Sequence, residues 1–412
     1  MTNEEKNESN NSDGEQLERE PLRKGLVNVV VDETEICKID GKLGKLYYRG
    51  YPIQELVEYS NFEEVAFLLL FGKFPSSFEL EAFSEKLVRR RDIPDRVLTI
   101  LKSFPRNTTR IELLRTAVSA LSLYDKDDYD YSEQANIRKG IRIIAKIPTV
   151  LAFSHRIQTN QPIVEPDLEG ELSHAANFYY MMTGEKPDKL IEDAFDKLMV
   201  CHAEHSLNAS TFSARVTVST LSDLYSGITS AIGTLRGPLH GGANEKVIRY
   251  MIDEVKTMDN VIPWAKEKLS KHEKIMGFGH RVYKTWDPRA RIIREHAKKF
   301  SDMRKKDPEA VDLIKEWVDE EDIDSIFEMT EILKDFIIKE KGLYPNVDLY
   351  SASLLHGLGV PTPLYTPIFA SARCVGWVAH CIEQLKNNKL IRPRLLYKGE
   401  VDRKYIPMAD RK

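Results

Sequence analysis

From Ser60 onward, apolar residues recur at the spacing of an amphipathic helix, and this periodicity constrains the fold more than any other feature of the chain. Ser60-x-x-Glu63 precedes a run with Val65, Leu68 and Leu69 on one face and Gly72 as a stop. Ser76-x-x-Glu79 opens the next, with Leu80, Phe83 and Leu87. A serine followed three residues later by glutamate satisfies orphan N–H groups at a helix start, so capping and period agree. Leu224, Ile228, Ile232 and Leu235 mark another helix, in which Ser226, Gly227, Ser230, Ala231 and Gly233 let a second helix approach closely. Pro308 to Glu340 repeats the pattern with Val311, Ile314, Val318, Ile326, Ile332 and Phe336.

Strand signals are confined to one end. Val27, Val29 and Val31 alternate with other residues, and Ile36 to Ile39 is followed by Asp40-Gly41 and then Leu46-Tyr47-Tyr48, a hairpin pattern. The spacing predicts an all-α fold with a small N-terminal antiparallel sheet. No repeat, low-complexity block or linker interrupts it, so a domain boundary has to be crossed twice, by a small insert in the second half.

Composition narrows the class. The 412 residues are 42% hydrophobic and 30% charged, and Lys+Arg 60 against Asp+Glu 64 leaves a net charge of -4. No general field favours nucleic acid or anionic lipid, so an anionic ligand has to be met by local basic groups. Cys37, Cys201, Cys374 and Cys381 show no metal-type or CxxC spacing, which points to a reduced cytoplasmic chain. Residues 1–22 are polar and acidic and are expected to be a disordered tail without a signal peptide. The longest apolar run, Val65 to Phe71, is too short to span a bilayer.

Two glycine-bracketed histidines stand out against the helices. His240 lies in Gly237-Pro238-Leu239-His240-Gly241-Gly242-Ala243-Asn244-Glu245, and His280 in Gly277-Phe278-Gly279-His280-Arg281-Val282-Tyr283. Glycine costs about 1 kcal/mol in a helix interior and is useful where backbone turns sharply or meets a ligand, so both clusters read as site loops.

A third cluster extends the apolar face Ile191, Phe195, Leu198 to His202 and His205, followed by Asn208-Ala209-Ser210-Thr211. Such a pair is either hydrogen-bonded core or a metal site, and Glu204 falls on another face with no HExxH present. Asp348, among Val347, Leu349 and Tyr350, reads either as a desolvated base or as a helix N-cap. Arg373 and Arg392, taken singly, read as surface charges.

Taken together, HAEHSLNAST, GPLHGGANE, GFGHRVYKTWDPR, NVDLYSAS and IRPRLLY, in this order, resemble the citrate synthase family, in its shorter archaeal and Gram-positive form. The resemblance reaches the N-terminal sheet and leaves only the acidic tail uncovered. It implies condensation of acetyl-CoA with oxaloacetate and water to give citrate and CoA, with no permanently bound cofactor and no metal. It also implies a large helical domain, residues 23–242 and 351–412, which holds a dimer interface, and a small domain, 243–350, which closes over the substrate.

By the same resemblance, Asp348 removes the methyl proton, His240 donates to the thioester oxygen as the enol forms, and His280 polarises the ketone. Arg289, Arg373 and Arg392 hold the oxaloacetate carboxylates with His205. Planar guanidinium forks suit carboxylates better than lysine does. Arg392 is expected to reach the neighbouring subunit's site in a homodimer, with Arg394 as the competing arginine, while His202, Asn208 and Ser210 support the site. Gly277, Phe278 and Gly279 fall on the CoA side, with Lys284, Arg291 and Arg294 as basic groups near its phosphates. Leu349 and His356 stand where relatives carry aromatics, which bears on acyl-chain choice: 2-methylcitrate synthases, using propionyl-CoA, share all these motifs. One methylene in an apolar pocket is worth only about 1 to 3 kcal/mol, so this alternative stays open. A non-catalytic or metal-binding helical protein built on His202 and His205 is the alternative from another class.

Overall fold

An aspartate closes the first turn of the chain. Cys37–Asp40 (β1), Lys45–Tyr48 (β2) and Tyr51–Pro52 (β3) form an antiparallel sheet in the order β1-β2-β3, with Cys37 opposite Tyr48 and Asp40 opposite Lys45. Asp40 Oδ1 accepts the Lys42 and Leu43 N–H groups at 3.0 and 2.8 Å, and Gly44 adopts a positive φ of 63°. This is the hairpin that Asp-Gly predicts. Val29 and Val31 do not join it. They lie outside the sheet, partly exposed, because alternation alone supplies no neighbouring strand to complete a ladder.

The computed structural model describes residues 22–26, 28–127, 129–306 and 325–411. The tail expected at 1–22 (Leu22 apart), Val27, and the helical positions Val311, Ile314 and Val318 lie outside the described residues. One compact unit spans Thr34–Leu390; the other joins the described residues up to Glu33 with those from Ile391 onward. This second unit holds the short turns Lys24–Leu26 and Met408–Asp410 and is otherwise irregular. Arg392 and Arg394 belong to it and are exposed.

Among the described residues the sheet is followed by sixteen α-helices. The first eight are Ile53–Tyr59 (α1), Phe62–Phe71 (α2), Ser77–Val88 (α3), Asp95–Ser103 (α4), Arg110–Ser122 (α5), Glu133–Gln158 (α6), His174–Thr183 (α7) and Lys189–His202 (α8). Ala209–Ser219 (α9), Leu224–Leu235 (α10), Ala243–Arg249 (α11), Val261–Ser270 (α12), Pro288–Lys306 (α13), Ile326–Lys341 (α14), Val347–Gly357 (α15) and Tyr365–Lys386 (α16) complete them. Ile326, Ile332 and Phe336 thus fall on α14 as the periodicity predicts.

Caps set the helix starts. The Ser76–Glu79 capping box opens α3 as expected. For α2 the cap is one residue later than the pattern suggests. Asn61 accepts the Glu64 N–H at 2.9 Å, while the Ser60 hydroxyl donates to the Glu64 carboxylate at 2.5 Å. Asparagine caps as well as serine, and the nearer one took the position.

Helix α16 is the axis of the core. It is buried almost throughout and packs on α6, α8, α9 and α10. Burying each large apolar side chain stabilises by about 1.5–3 kcal/mol, which makes this helix a principal contributor. Helices α9 and α10 pack closely because Gly227 meets Val218: a Cβ there would lie 2.8 Å from Val218 Cγ1. Helix α10 ends at Leu235, and the His240 loop follows it. No helix among the described residues is long and apolar enough to cross a membrane.

Candidate active site

The His240 ring is anchored by the start of α9. Asn208 caps that helix, its Oδ1 accepting the Ser210 and Thr211 N–H groups at 3.1 Å each. The cap aims Ser210 at the loop, so its main-chain N–H donates to His240 Nε2 at 3.2 Å and its Oγ lies 2.8 Å from the same nitrogen. A main-chain N–H can only donate, so Nε2 accepts and the ring proton is assigned to Nδ1. Ser210 Oγ in turn accepts the Trp377 Nε1–H at 3.1 Å, from α16. Burial, aided by Arg373, pushes the His240 pKa down to about 4, so the ring is neutral at pH 7.

His280 is held differently. Its Nδ1 accepts the main-chain N–H groups of Val282 and Tyr283, both at 3.1 Å, which puts the ring proton on Nε2. Burial, then Arg289, lowers its pKa to about 4. The ring faces His205 edge-on, with centroids 5.2 Å apart, and leans on Tyr283 at 4.7 Å.

The glycines before His280 tie this loop to α15. Gly279 N donates to the Tyr344 carbonyl at 2.8 Å, Asn346 N to the Gly277 carbonyl at 3.0 Å, and Asn346 Nδ2 to the Gly279 carbonyl at 3.0 Å. Gly277, at a φ of 90°, lies against Leu349: a Cβ would come 2.9 Å from Leu349 Cδ1. Phe278 bridges to Pro345. Asn346 caps α15, accepting the Asp348 N–H at 3.0 Å. The N-cap reading of Asp348 is therefore corrected: the cap is Asn346, and Asp348 stands inside the first turn with its carboxyl free. Among the described residues no group hydrogen-bonds that carboxyl. Part of it stays open to solvent, yet the surrounding protein raises its pKa to about 7, against the opposing pull of Arg289 and Arg373.

Two buried arginines complete the cluster. Arg289 is 2% exposed and is gripped by Asp287, Nε to Oδ1 at 3.0 Å and Nη2 to Oδ2 at 2.7 Å, which leaves Nη1 without a partner among the described residues. The pairing holds the guanidinium above its usual pKa although burial opposes it. Arg373, 1% exposed, lies over the Phe369 ring, 4.8 Å from its centroid, and donates from Nε to the His202 carbonyl at 2.7 Å. Its Nη2 is buried with no acceptor among the described residues. A cation left unsatisfied in a core costs several kcal/mol unless an anion meets it, so the arrangement is built for an anionic ligand.

The remaining expected residues fall at varied distances from this cluster. His202 ends α8, where its Nδ1 donates to the Leu198 carbonyl at 2.8 Å and its Nε2 lies 3.3 Å from Ser351 Oγ. His205 lies beyond the end of α8, not on its apolar face. The chain leaves the helix at Ala203, so the helical spacing does not place it. Its Nε2 is buried without a partner among the described residues, and burial followed by Arg289 lowers its pKa well below the usual value. Lys284 and Arg291 are exposed, Arg291 over the Trp286 ring, whereas Arg294 is paired with Glu331, which Tyr350 also hydrogen-bonds at 2.6 Å. Arg392 lies in the other unit. Among the described residues, no three His, Cys, Asp or Glu side chains are grouped to hold a metal ion.

Two members of the cluster are absent from the sequence-level expectation. Asp287 is two residues before Arg289 in the same Trp-Asp-Pro-Arg run, a spacing short enough for a bidentate pair. Trp377 lies four residues after Arg373, one helical turn along the same face.

Comparison with known proteins bears on the chemistry. Residues 25–394 match the family described as "Citrate synthase, C-terminal domain". The chain is 44% identical to a citrate synthase of Haloferax volcanii over 394 residues, 95% of this chain and 99% of that one. It is 41% identical to a citrate/2-methylcitrate synthase of Bacillus subtilis over 384 residues, covering 93% and 98%. Among solved structures, the ternary complex of citrate synthase from Thermoplasma acidophilum with carboxymethyl coenzyme A and oxaloacetate superposes with a TM-score of 0.86 at 34% identity, covering 95% of this chain and 100% of that one.

Proposed function

Because the chain belongs to the citrate synthase family and is an enzyme of that kind, we propose that it condenses acetyl-CoA with oxaloacetate at the cluster of His205, His240, His280, Arg289, Asp348 and Arg373. The observation that carries this reading is the pair of buried polar atoms without a partner among the described residues, Arg373 Nη2 and His205 Nε2, beside the incompletely paired guanidinium of Arg289 and one unbonded carboxyl. Oxaloacetate supplies the missing acceptors with its two carboxylates.

Asp348, with a pKa near 7, accepts a proton from the thioester methyl more readily than an ordinary carboxylate would. His240 Nδ1–H donates to the enol oxygen as charge develops, and a positioned donor of this kind is worth about 2.7–4 kcal/mol. The methyl carbon then bonds to the ketone carbon, whose oxygen takes charge against the His280 Nε2–H. Water finally cleaves the citryl thioester, releasing citrate and CoA. Neutral imidazoles suit both donor roles, since each gives one N–H and leaves no cation to repel the arginines. Asn208, Ser210 and His202 hold these groups in place.

CoA falls, in this reading, along Gly277–Gly279, with its phosphates toward Lys284 and Arg291; Arg294 contributes less because Glu331 already holds it. The protein works in the cytoplasm as a homodimer, with Arg392 completing the partner's site. Residues 243–350 form the domain that closes, which excludes water while the enol exists.

The relative that makes both citrate and 2-methylcitrate, and the aliphatic Leu349 behind Gly277, favour a second reading in which propionyl-CoA is also used. One preparation tests both. Thiol release from acetyl-CoA is expected to require oxaloacetate and to persist in EDTA, with kcat/KM higher for acetyl-CoA than for propionyl-CoA. Parity between the esters replaces the narrow assignment with the dual one, and release without oxaloacetate contradicts both.

A further inference from the structure

We propose that the β1–β2 turn, residues 41–44, is a positioning element for His280, acting through the backbone of Val282 to Trp286. The inference rests on the functional reading above for what His280 does, but its geometry is independent of it. Among the described residues, His280 takes its hydrogen bonds and tautomer from the N–H groups of Val282 and Tyr283, and its ring packs on His205 and Tyr283. No side chain anchors its Nδ1, so whatever fixes that backbone fixes the imidazole.

The hairpin turn does so. The Lys284 N–H donates to the Gly41 carbonyl at 2.8 Å, directly after the two residues that hold the ring. Gly41 sits so close that a Cβ there would overlap the Val282 carbonyl oxygen, and a Cβ on Gly44 would lie 2.8 Å from both Thr285 Cγ2 and the Trp286 carbonyl oxygen. Two glycines are thus needed for the turn to seat on the loop, and Asp40 keeps the turn in shape by capping Lys42 and Leu43. Beyond Trp286 come Asp287 and Arg289, so the same seat sets the start of the substrate arginine's segment.

The other end of the hairpin holds the opposite wall. Tyr48, fully buried on β2, donates its hydroxyl to the Glu204 carbonyl at 2.8 Å and accepts the Glu204 N–H at 3.3 Å. Glu204 immediately precedes His205, whose ring faces His280. One short hairpin therefore spans from the His205 segment to the His280 segment and sets the spacing between them. Both contacts are to main chain, so they constrain backbone position and not merely side-chain packing. None of these hairpin residues touches the reacting atoms; they act through Val282, Lys284 and Glu204.

The test uses the full-length enzyme and two variants. Gly41→Ala forces the turn off the Val282 carbonyl, and Asp40→Ala loosens the turn without adding any atom, which guards against a variant that fails to fold. Misplacing a catalytic group by about 1 Å can cost about 100-fold. We therefore expect oxaloacetate KM to rise about tenfold or more in Gly41→Ala and about threefold in Asp40→Ala, with the KM for acetyl-CoA within about twofold in each. Amide hydrogen exchange over residues 281–286 should quicken in both variants in the absence of any substrate. Unchanged exchange there overturns the inference whatever the substrate is, and so does a parallel rise in both KM values, which a general loss of stability would give. If the wild-type enzyme binds no oxaloacetate, the functional reading falls and the positioning role with it, even where exchange responds.

Discussion

The His240 and His280 loops present the same chemical group, a neutral imidazole with a pKa near 4 set chiefly by burial, but a remote serine holds one through both its hydroxyl and its N–H, and the N–H groups of its own loop hold the other. His240 is tied by Nε2 to Ser210, whose hydroxyl is tied in turn to Trp377 in the core helix. His280 is tied by Nδ1 to the N–H groups of its own loop, and that loop is seated on the sheet. The N–H left unengaged among the described residues is therefore Nδ1–H in one ring and Nε2–H in the other. The Ser210 hydroxyl that holds His240 can be deleted by one substitution although the Ser210 N–H remains, whereas both anchors of His280 are main chain and can only be displaced by moving what supports them. His240, proposed to act on the acyl group, should accordingly respond to point changes in its contacts, and His280, proposed to act on the ketone, to changes in its scaffold.

The largest expected effect falls on both loops equally. Asp348→Asn removes the unbonded carboxylate proposed as the base and should lower kcat by about a thousandfold, within the range typical of general bases, as steady-state assay would show. The same variant should be more stable. Burial raises the native carboxyl pKa from 3.8 to about 7, so the native state holds its proton longer than the unfolded chain does. The carboxylate therefore destabilises the fold increasingly from pH 4 to 7, and the gain in Tm for the variant, about 1–3 °C, should be present above pH 7 and vanish near pH 4.

Next in size is the anchor of His240. Ser210→Ala should lower kcat about 10- to 100-fold while leaving oxaloacetate KM within about twofold, since only the acyl-side donor loses its orientation. Equal losses in both KM values would erase the distinction between the loops. Trp377→Phe, which removes only the donor to Ser210, should act in the same direction by about threefold in kcat. A pH profile sharpens the comparison further: kcat/KM should rise through about pH 7 as Asp348 ionises and then stay level to pH 8.5, because neither histidine titrates above pH 5.5. A falling limb in that range would mean that one imidazole works as a cation.

Local chemistry was legible in the sequence and long-range contact was not. The capping box at Ser76 and Glu79 and the hairpin around Asp40-Gly41 are decided by neighbouring residues, so their patterns carry them. Val29 and Val31 show strand alternation as clearly, but a strand needs a partner ladder, which a single segment cannot announce. His205 follows helical spacing past the point where the helix has ended. The identities of His240, His280, Asp348, Arg289 and Arg373 come through as motifs, whereas the way each is held depends on residues remote in the chain: Trp377 for His240, Gly41 for His280, Asn346 for Asp348. Asp287 was within reach, since a carboxylate two residues from a buried arginine is a natural partner. The seating of the turn on Val282 was not, because it depends on two glycines meeting a segment most of the chain away.

The division of labour between the two loops is most directly tested by calorimetric titration of oxaloacetate alone into His280→Ala and His240→Ala. The account predicts that His280→Ala weakens binding about tenfold or more, since a hydrogen bond to the ketone is lost, while His240→Ala binds within about twofold of wild type. Equal weakening in the two variants, or a greater loss in His240→Ala, would contradict it.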